Sequence, residues 1–524
     1  MATKYWVGGD GNWSSLTNWR TASGGAIVTT APGSTDAAVL DANSGVSVVT
    51  VDSNITIQTL TCTGFTGTLA FGTNTISLNS TGTIYTGVLT MTVTGTPLII
   101  ATNSSATART ITPTLVTEAN SISFRITGGT GTLTLTNGSY RDLDFTDGTN
   151  PTGYAGALGT ASITIYGSFK ASTGMTRTAG TGTYTFAATS GSKTILSAGV
   201  LFDCPFTFNG VGGTWQLQDA LTSGSTRTIT LTNGTLDLNN LTLTAGLFSS
   251  TNSNTRIIAF GTGNITLTGN AATIWTSATA TNFSYTGTPN VNATYSGSTG
   301  TRIILAHRTT GGTESNALNF SINAGTDLVA FGSGSIIKTL NLTGFAGTLQ
   351  NNGTSIFGNL VFGAGSTIQS LDTAYQFSAT SGTQQVTTNS VTINSNLVFA
   401  GIGGTVAFQD ALTQGSTRTF IVTDGTIKLK SSATSTVGAF STSGTNQKFL
   451  QSTLAGTQAT LSQASGTVST GYLTIKDINA TGGATFNAYT VNSNVNAGNN
   501  LGWDFFAQLG RTIYTRRKEK RVLI

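Results

Sequence analysis

The chain alternates polar and apolar residues in short runs separated by turn residues. Thr228-Ile229-Thr230-Leu231-Thr232 alternates, Asn233-Gly234 turns, and Thr235-Leu236-Asp237-Leu238 resumes. The same pattern recurs at Ser162-Ile163-Thr164-Ile165-Tyr166, Asn264-Ile265-Thr266-Leu267-Thr268 and Val391-Thr392-Ile393. A period of two places Ile and Leu on one face of a strand and Thr on the other. Thr is β-branched and suits a pleated, solvent-facing position. Asn-Gly, Asp-Gly and Thr-Gly steps supply the positive φ that corners require. The pattern predicts strand throughout.

The chain also repeats itself. Residues 210–238 and 401–429 are identical at 18 of 29 positions at a constant offset of 191, including Asp219/Asp410 and Arg227/Arg418. Residues 186–191 match 377–382 at the same offset. A second echo, residues 59–69 against 339–349, has an offset of 280. Two unequal offsets point to a solenoid that grew by duplicating blocks of coils. Stacking coils buries the apolar face between neighbours and satisfies the backbone from coil to coil. The expected fold is all-β: a right-handed parallel β-helix or related β-solenoid, with a Trp-rich N-terminal cap. The competing architecture is a string of antiparallel β-sandwiches, which also gives short, closely spaced strands. The expected organisation is a cap or attachment segment over 1–45, a solenoid over 46–506 with its duplicated blocks near 186–238 and 377–429, and a basic tail over 507–524. Coils of roughly 20–29 residues make about 16–23 turns.

Composition narrows the function classes. Only 8% of the 524 residues are charged and 38% are hydrophobic, which predicts a folded chain surfaced by hydroxyls and amides. Of the net charge of +5, all resides in the tail, where Arg511, Arg516, Arg517, Lys518, Lys520 and Arg521 face one acid, Glu519. The body is neutral, so a nucleic-acid-binding face is not expected. Cys62 and Cys204 give neither a disulfide framework nor zinc spacing. No apolar run is long enough to span a membrane. No secretion signal precedes the Trp-rich motif, although the composition is that of an extracellular protein. A virus particle assembled in the host cytoplasm and released by lysis reconciles the two.

The first 45 residues carry Trp6-Val7-Gly8-Gly9, Gly11-Asn12-Trp13, Asn18-Trp19, Ser23-Gly24-Gly25, Pro32, Asp36 and Asp41-Ala42-Asn43-Ser44-Gly45. Together they resemble the N-terminal segment of structural proteins of tailed bacteriophages. Leu60 to Leu69, with Gly64-Phe65-Thr66-Gly67-Thr68, resembles the first coil of that family. Asp477-Ile478-Asn479-Ala480-Thr481-Gly482-Gly483 and Asn499-Asn500-Leu501-Gly502-Trp503 resemble its terminal coil. The resemblance implies a non-enzymatic virion protein: a tail fibre, spike, head fibre or capsid decoration. Its partners would be other capsid or tail proteins, further copies of itself (a trimer being one arrangement) and host-surface glycans, with no membrane. The basic tail departs from the family pattern. The rival readings are a bacterial cell-surface β-helix adhesin and a tailspike glycan depolymerase.

Candidate chemistry is sparse. Trp6, Trp13, Trp19 and Trp503 are read as caps on the solenoid ends or as attachment residues, the alternative for the first three being a sugar-stacking shelf. The six basic residues from Arg511 to Arg521 are read as a partner-docking peptide. Asp142, Asp144 and Asp147-Gly148 form the densest carboxylate group, but they miss the calcium-loop pattern and are read as solvated turn residues. Glycan hydrolysis needs two carboxylates across one bond. Asp219 and Asp410 are the candidates, each with an expected alternative as the ion-pair partner of Arg227 or Arg418. His307 is the only histidine, which leaves little material for triad or multi-His metal chemistry. Gly128-Gly129-Thr130-Gly131 lacks a following helix and is not read as a nucleotide loop. No cofactor, metal or catalytic residue is expected.

Overall fold

The computed structural model describes residues 1–149, 151–270, 273–307, 314–369, 371 and 373–506. The chain is nearly all β, a parallel β-solenoid of about 20 turns. Among the described residues the helical segments are four short 3-10 turns: Ala42–Ser44, Glu118–Asn120, Glu314–Asn316 and Thr490–Asn492. No helix among them is long and apolar enough to cross a membrane. Parallel pairing between successive coils rules out the string of sandwiches.

The chain forms two compact units, Met1–Thr354 and Ser355–Ile524. In the first, strands of successive coils pair in parallel: Ala37 aligns with Thr59, Leu60 with Tyr85, and Arg109 with Leu133. The alternation seen in the sequence decides which face turns inward. Along Thr228–Asp237, Ile229, Leu231 and Leu236 are buried while the threonines between them are partly exposed. The second unit repeats the plan, with Tyr375 aligned to Leu397 and Leu397 to Phe420. Outward polar side chains join the coils. Asn240 accepts from the Thr262 amide at 2.9 Å, and Asn396 accepts from the Thr419 amide at 2.8 Å.

The duplicated blocks share geometry as well as sequence. Phe186 stacks on Phe208 at 5.1 Å in the first unit, and Phe377 stacks on Phe399 at 5.1 Å in the second. The echo at offset 280 is a shared corner. Gly64 and Gly344 take φ of +84° and +93°, and Phe65 and Phe345 are fully buried. Gly67 and Gly347 then pass so close to the Ser47 and Asp327 carbonyls of the preceding coil that a Cβ would collide with them. That corner explains why Gly, Phe and Gly recur at fixed spacing in the two copies.

One buried ion pair crosses between coils of the first unit. Arg302 grips Asp327 through Nε to Oδ2 at 2.8 Å and Nη2 to Oδ1 at 2.7 Å, with both side chains fully buried. The guanidinium also donates to the Ala324 carbonyl and lies over the Tyr295 and Phe345 rings.

Candidate functional site: a charged groove on one sheet face

The candidate residues of the first 45 positions are inward-facing. Trp6, Trp13 and Trp19 are almost wholly buried and meet edge to face, Trp6 on Trp19 at 5.2 Å and Trp13 on Trp19 at 4.8 Å. Trp19–Arg20 runs antiparallel to Thr3–Trp6, whose other edge pairs in parallel with Ala37–Leu40. Trp19 donates through Nε1 to the Trp13 carbonyl, and Asn18 bonds the Gly8 and Gly9 carbonyls. With their ring faces covered, these residues offer no open shelf for a sugar. Trp503 packs on Phe486 and Phe440 in the last coil of the second unit. The basic residues Arg511, Arg516, Arg517, Lys518, Lys520 and Arg521 lie outside the described residues.

The duplicated carboxylates do not form the ion pairs expected of them. Asp219 accepts from the Ser197 amide at 2.6 Å and from its hydroxyl at 3.0 Å. Asp410 accepts from the Thr388 amide at 2.8 Å and the Asn389 amide at 2.7 Å. Each carboxylate thus holds a corner of the coil before it. Arg227 pairs instead with Asp203 at 2.5 Å. In the second block the equivalent position is Asn394, and Arg418 donates to the Leu371 carbonyl at 3.0 Å. The ion-pair expectation failed because residues eight apart along a coil sit on different strands, while the partner lies one coil away.

Asp142 and Asp144 are corrected in the other direction. Asp144 is a buried strand residue and Asp142, half-buried, immediately precedes that strand, whereas Asp147 lies in the loop that follows, where it accepts from the Thr149 amide and hydroxyl. Asp142 and Asp144 lie on a sheet face built from Thr75–Leu78, Leu98–Ala101, Ser123–Ile126, Leu143–Asp144, Phe169–Lys170 and Ser192–Leu196. Register stacks Ile100, Arg125, Asp144, Lys170 and Leu196 in one column. The neighbouring column brings Leu98, Ser123, Asp142, Ser168 and Thr194 together.

These columns floor a groove of about 510 Å³ bordered by Thr73, Thr96, Pro97 and Arg141. A second hollow of about 550 Å³ adjoins it across Lys170 and Thr194, walled by Thr146, Gly148, Thr149 and Pro151. Six strands at ~4.8 Å spacing give a trough roughly 24 Å long.

Hydrogen bonds within the groove are unevenly shared. Asp142 accepts from the Ser123 hydroxyl at 2.8 Å and the Ser168 amide at 2.7 Å. Asp144, largely buried, accepts from Arg125 Nε at 3.1 Å and from the Thr146 amide and hydroxyl at 3.0 and 2.6 Å. All four carboxylate oxygens therefore have protein donors. Arg125 is seated under the turn at Gly148, and Arg141 donates to the Ala119 carbonyl at 3.0 Å. Lys170 is exposed, and its side chain makes no hydrogen bond or ion pair among the described residues. The same residues include no group of three or more His, Cys, Asp or Glu able to hold a metal ion. His307 is buried against Phe283 and Tyr285, and its ring nitrogens have no partner among the described residues.

Comparison with protein-family models, with curated proteins and with solved structures finds no match.

Proposed function

We propose that this chain is a non-enzymatic structural protein of a bacteriophage particle, a fibre, spike or decoration whose coils carry a polar surface toward host glycans. The observation that carries this reading is the use made of the phage-like motif residues. Those at the start build the first coil: Asp41 and Ser44 form a capping box, and Ser44 donates to the Trp6 carbonyl at 2.7 Å. Those at the end build the last: Asn499 donates to Asp477 at 2.7 Å, and Asn500 accepts from the Ile478 amide at 3.0 Å. Motifs that serve to begin and finish a stack suit a protein whose task is to be a stack.

On this reading Trp6, Trp13 and Trp19 cap the first coil, Trp503 with Phe505 covers the last, and the basic residues from Arg511 to Arg521 dock to another virion protein. Self-association, as a trimer, and repetition over the particle would let weak glycan contacts add. The duplicated carboxylates favour this over a depolymerase, since Asp219 and Asp410 are both occupied in holding corners.

Immunogold electron microscopy on purified particles tests the proposal. Label on tail tips or spread over heads is expected. Label on cells with none on particles would replace it with the adhesin reading. Release of reducing ends from a host polysaccharide would replace it with the depolymerase.

A further inference from the structure

We propose that the groove between Thr73 and Thr194 binds an acidic polysaccharide, with the Lys170 ammonium holding a sugar carboxylate. The proposal rests on the glycan-contacting reading above and assigns it a place and a ligand class.

The body of the chain has as many acids as bases, yet this groove gathers Arg125, Arg141 and Lys170 against Asp142 and Asp144. The surplus charge is positive, and it is not spread evenly. Both carboxylates are engaged by protein donors, Arg125 is engaged by Asp144, and Arg141 is engaged by a backbone carbonyl. Lys170 is the cation left unengaged among the described residues lining the groove. It stands where the two hollows meet, so a ligand lying along the trough passes over it. A lone ammonium beside low-dielectric walls attracts a sparse negative charge.

The other lining groups choose the kind of anion. Both Asp142 oxygens and Asp144 Oδ2 have one protein donor each and keep a further lone pair, so they can accept from ligand hydroxyls while their protein bonds stay intact. Thr73, Thr75, Thr96 and Thr194 add hydroxyls that both give and accept, and the half-buried Leu98 supplies an apolar surface for the C–H face of a ring. A nucleic acid would bring one phosphate per nucleotide past two fixed carboxylates, and the aromatic residue of the lining, Phe124, is buried in the core and leaves no open face for bases to stack upon. A polymer rich in hydroxyls, with widely spaced acids, meets neither objection.

The test uses the full chain, fluorescently labelled, titrated with polygalacturonate and with polysialic acid, and with dextran and a short DNA duplex as controls. Binding of at least one acidic polysaccharide is expected, with none to dextran and weakening as salt rises. Lys170→Gln should raise its Kd about ten- to a hundredfold, as loss of a charge-assisted contact does. Lys170 holds nothing in place, so an unchanged circular dichroism spectrum and melting curve are expected of the variant. Failure to bind either polymer, equal binding of dextran, tighter binding of DNA, or an indifferent Lys170→Gln would each overturn the proposal. Immunogold labelling separates it from the virion reading. Labelled particles with no acidic-polymer binding would leave that reading and remove this one, and the converse result would do the opposite.

Discussion

Replacing Asp327 with Ala should destabilise the coils around Arg302 more than any other single change of charge in the first unit. The deletion removes both arms of the grip, at 2.8 and 2.7 Å, and leaves the guanidinium with one carbonyl, that of Ala324, at a site with no exposure to water. Two aromatic rings face the stranded charge and replace only part of what the carboxylate supplied. Breaking a buried pair from one side costs about 3–5 kcal/mol. Solenoid stability is the sum of coils and their interfaces, so the loss should stay local. Hydrogen exchange is the suitable assay. Amides of Leu328–Phe331, which stacks on Thr301–Ala306, and of Thr348–Asn351, which stacks on Leu328–Phe331, should exchange roughly a hundred- to several-thousandfold faster, with little change in the second unit. Replacing both partners together, Arg302→Met with Asp327→Leu, should restore most of the protection, because no unpaired charge remains. An acceleration below about tenfold in Asp327→Ala would refute the reasoning, as would a double variant no better protected than the single one.

Three further outcomes follow from the buried and corner-holding groups. Asp219→Ala and Asp410→Ala should each lower stability by about 1–3 kcal/mol by leaving corner amides without an acceptor. Urea unfolding checks this, and a cost confined to one of them would break the equivalence of the two blocks. Burial pushes the Cys62 thiol up to about 12 and the Cys204 thiol up to about 11, so neither should react with a disulfide reagent at about pH 8 until the chain is unfolded. Rapid labelling of the native chain would contradict it. Burial, reinforced by the nearby Arg256 guanidinium, lowers His307 to about 4 from its ordinary 6.5. The unfolded chain therefore binds a proton that the folded chain refuses between those values. Stability should fall by up to about 3 kcal/mol as pH drops through this window and level off below it. His307→Phe should flatten that part of the profile, and an unchanged slope would show that other groups set it.

The sequence made the fold legible because the solenoid writes its period of two directly into the chain. Ile229, Leu231 and Leu236 point inward as their alternation requires, although Asn233-Gly234, expected to turn between two strands, lies inside the single strand Thr228–Asp237. The duplicated blocks were legible for the same reason, since stacking Phe186 on Phe208 and Phe377 on Phe399 constrains both members of each pair. The Trp-rich segment announced a special structure, but its antiparallel strand was hidden. Only tertiary pairing tells Trp19–Arg20 to turn back on Thr3–Trp6.

The groove was illegible because its columns are assembled by register across coils of unequal length. Arg125 meets Asp144 after 19 residues, and Asp144 meets Lys170 after 26. No fixed period connects the three, so the sequence displayed Asp142 and Asp144 as an acidic cluster and kept their cations out of view. Unequal coils are also the physical source of the site. A stack of identical coils would repeat one side chain along each column and present a uniform face. Where coil length varies, the chain between strands must bulge. Here such a bulge closes where Thr146 and Gly153 form an antiparallel bridge, with Gly148 resting on Arg125. That bulge walls the second hollow and holds the guanidinium toward Asp144. Regular coils thus supply the rigid floor, and departures from regularity supply the walls and the mixed charge that recognition requires. Other binding surfaces on this chain are best sought at the remaining places where the pairing interval changes abruptly.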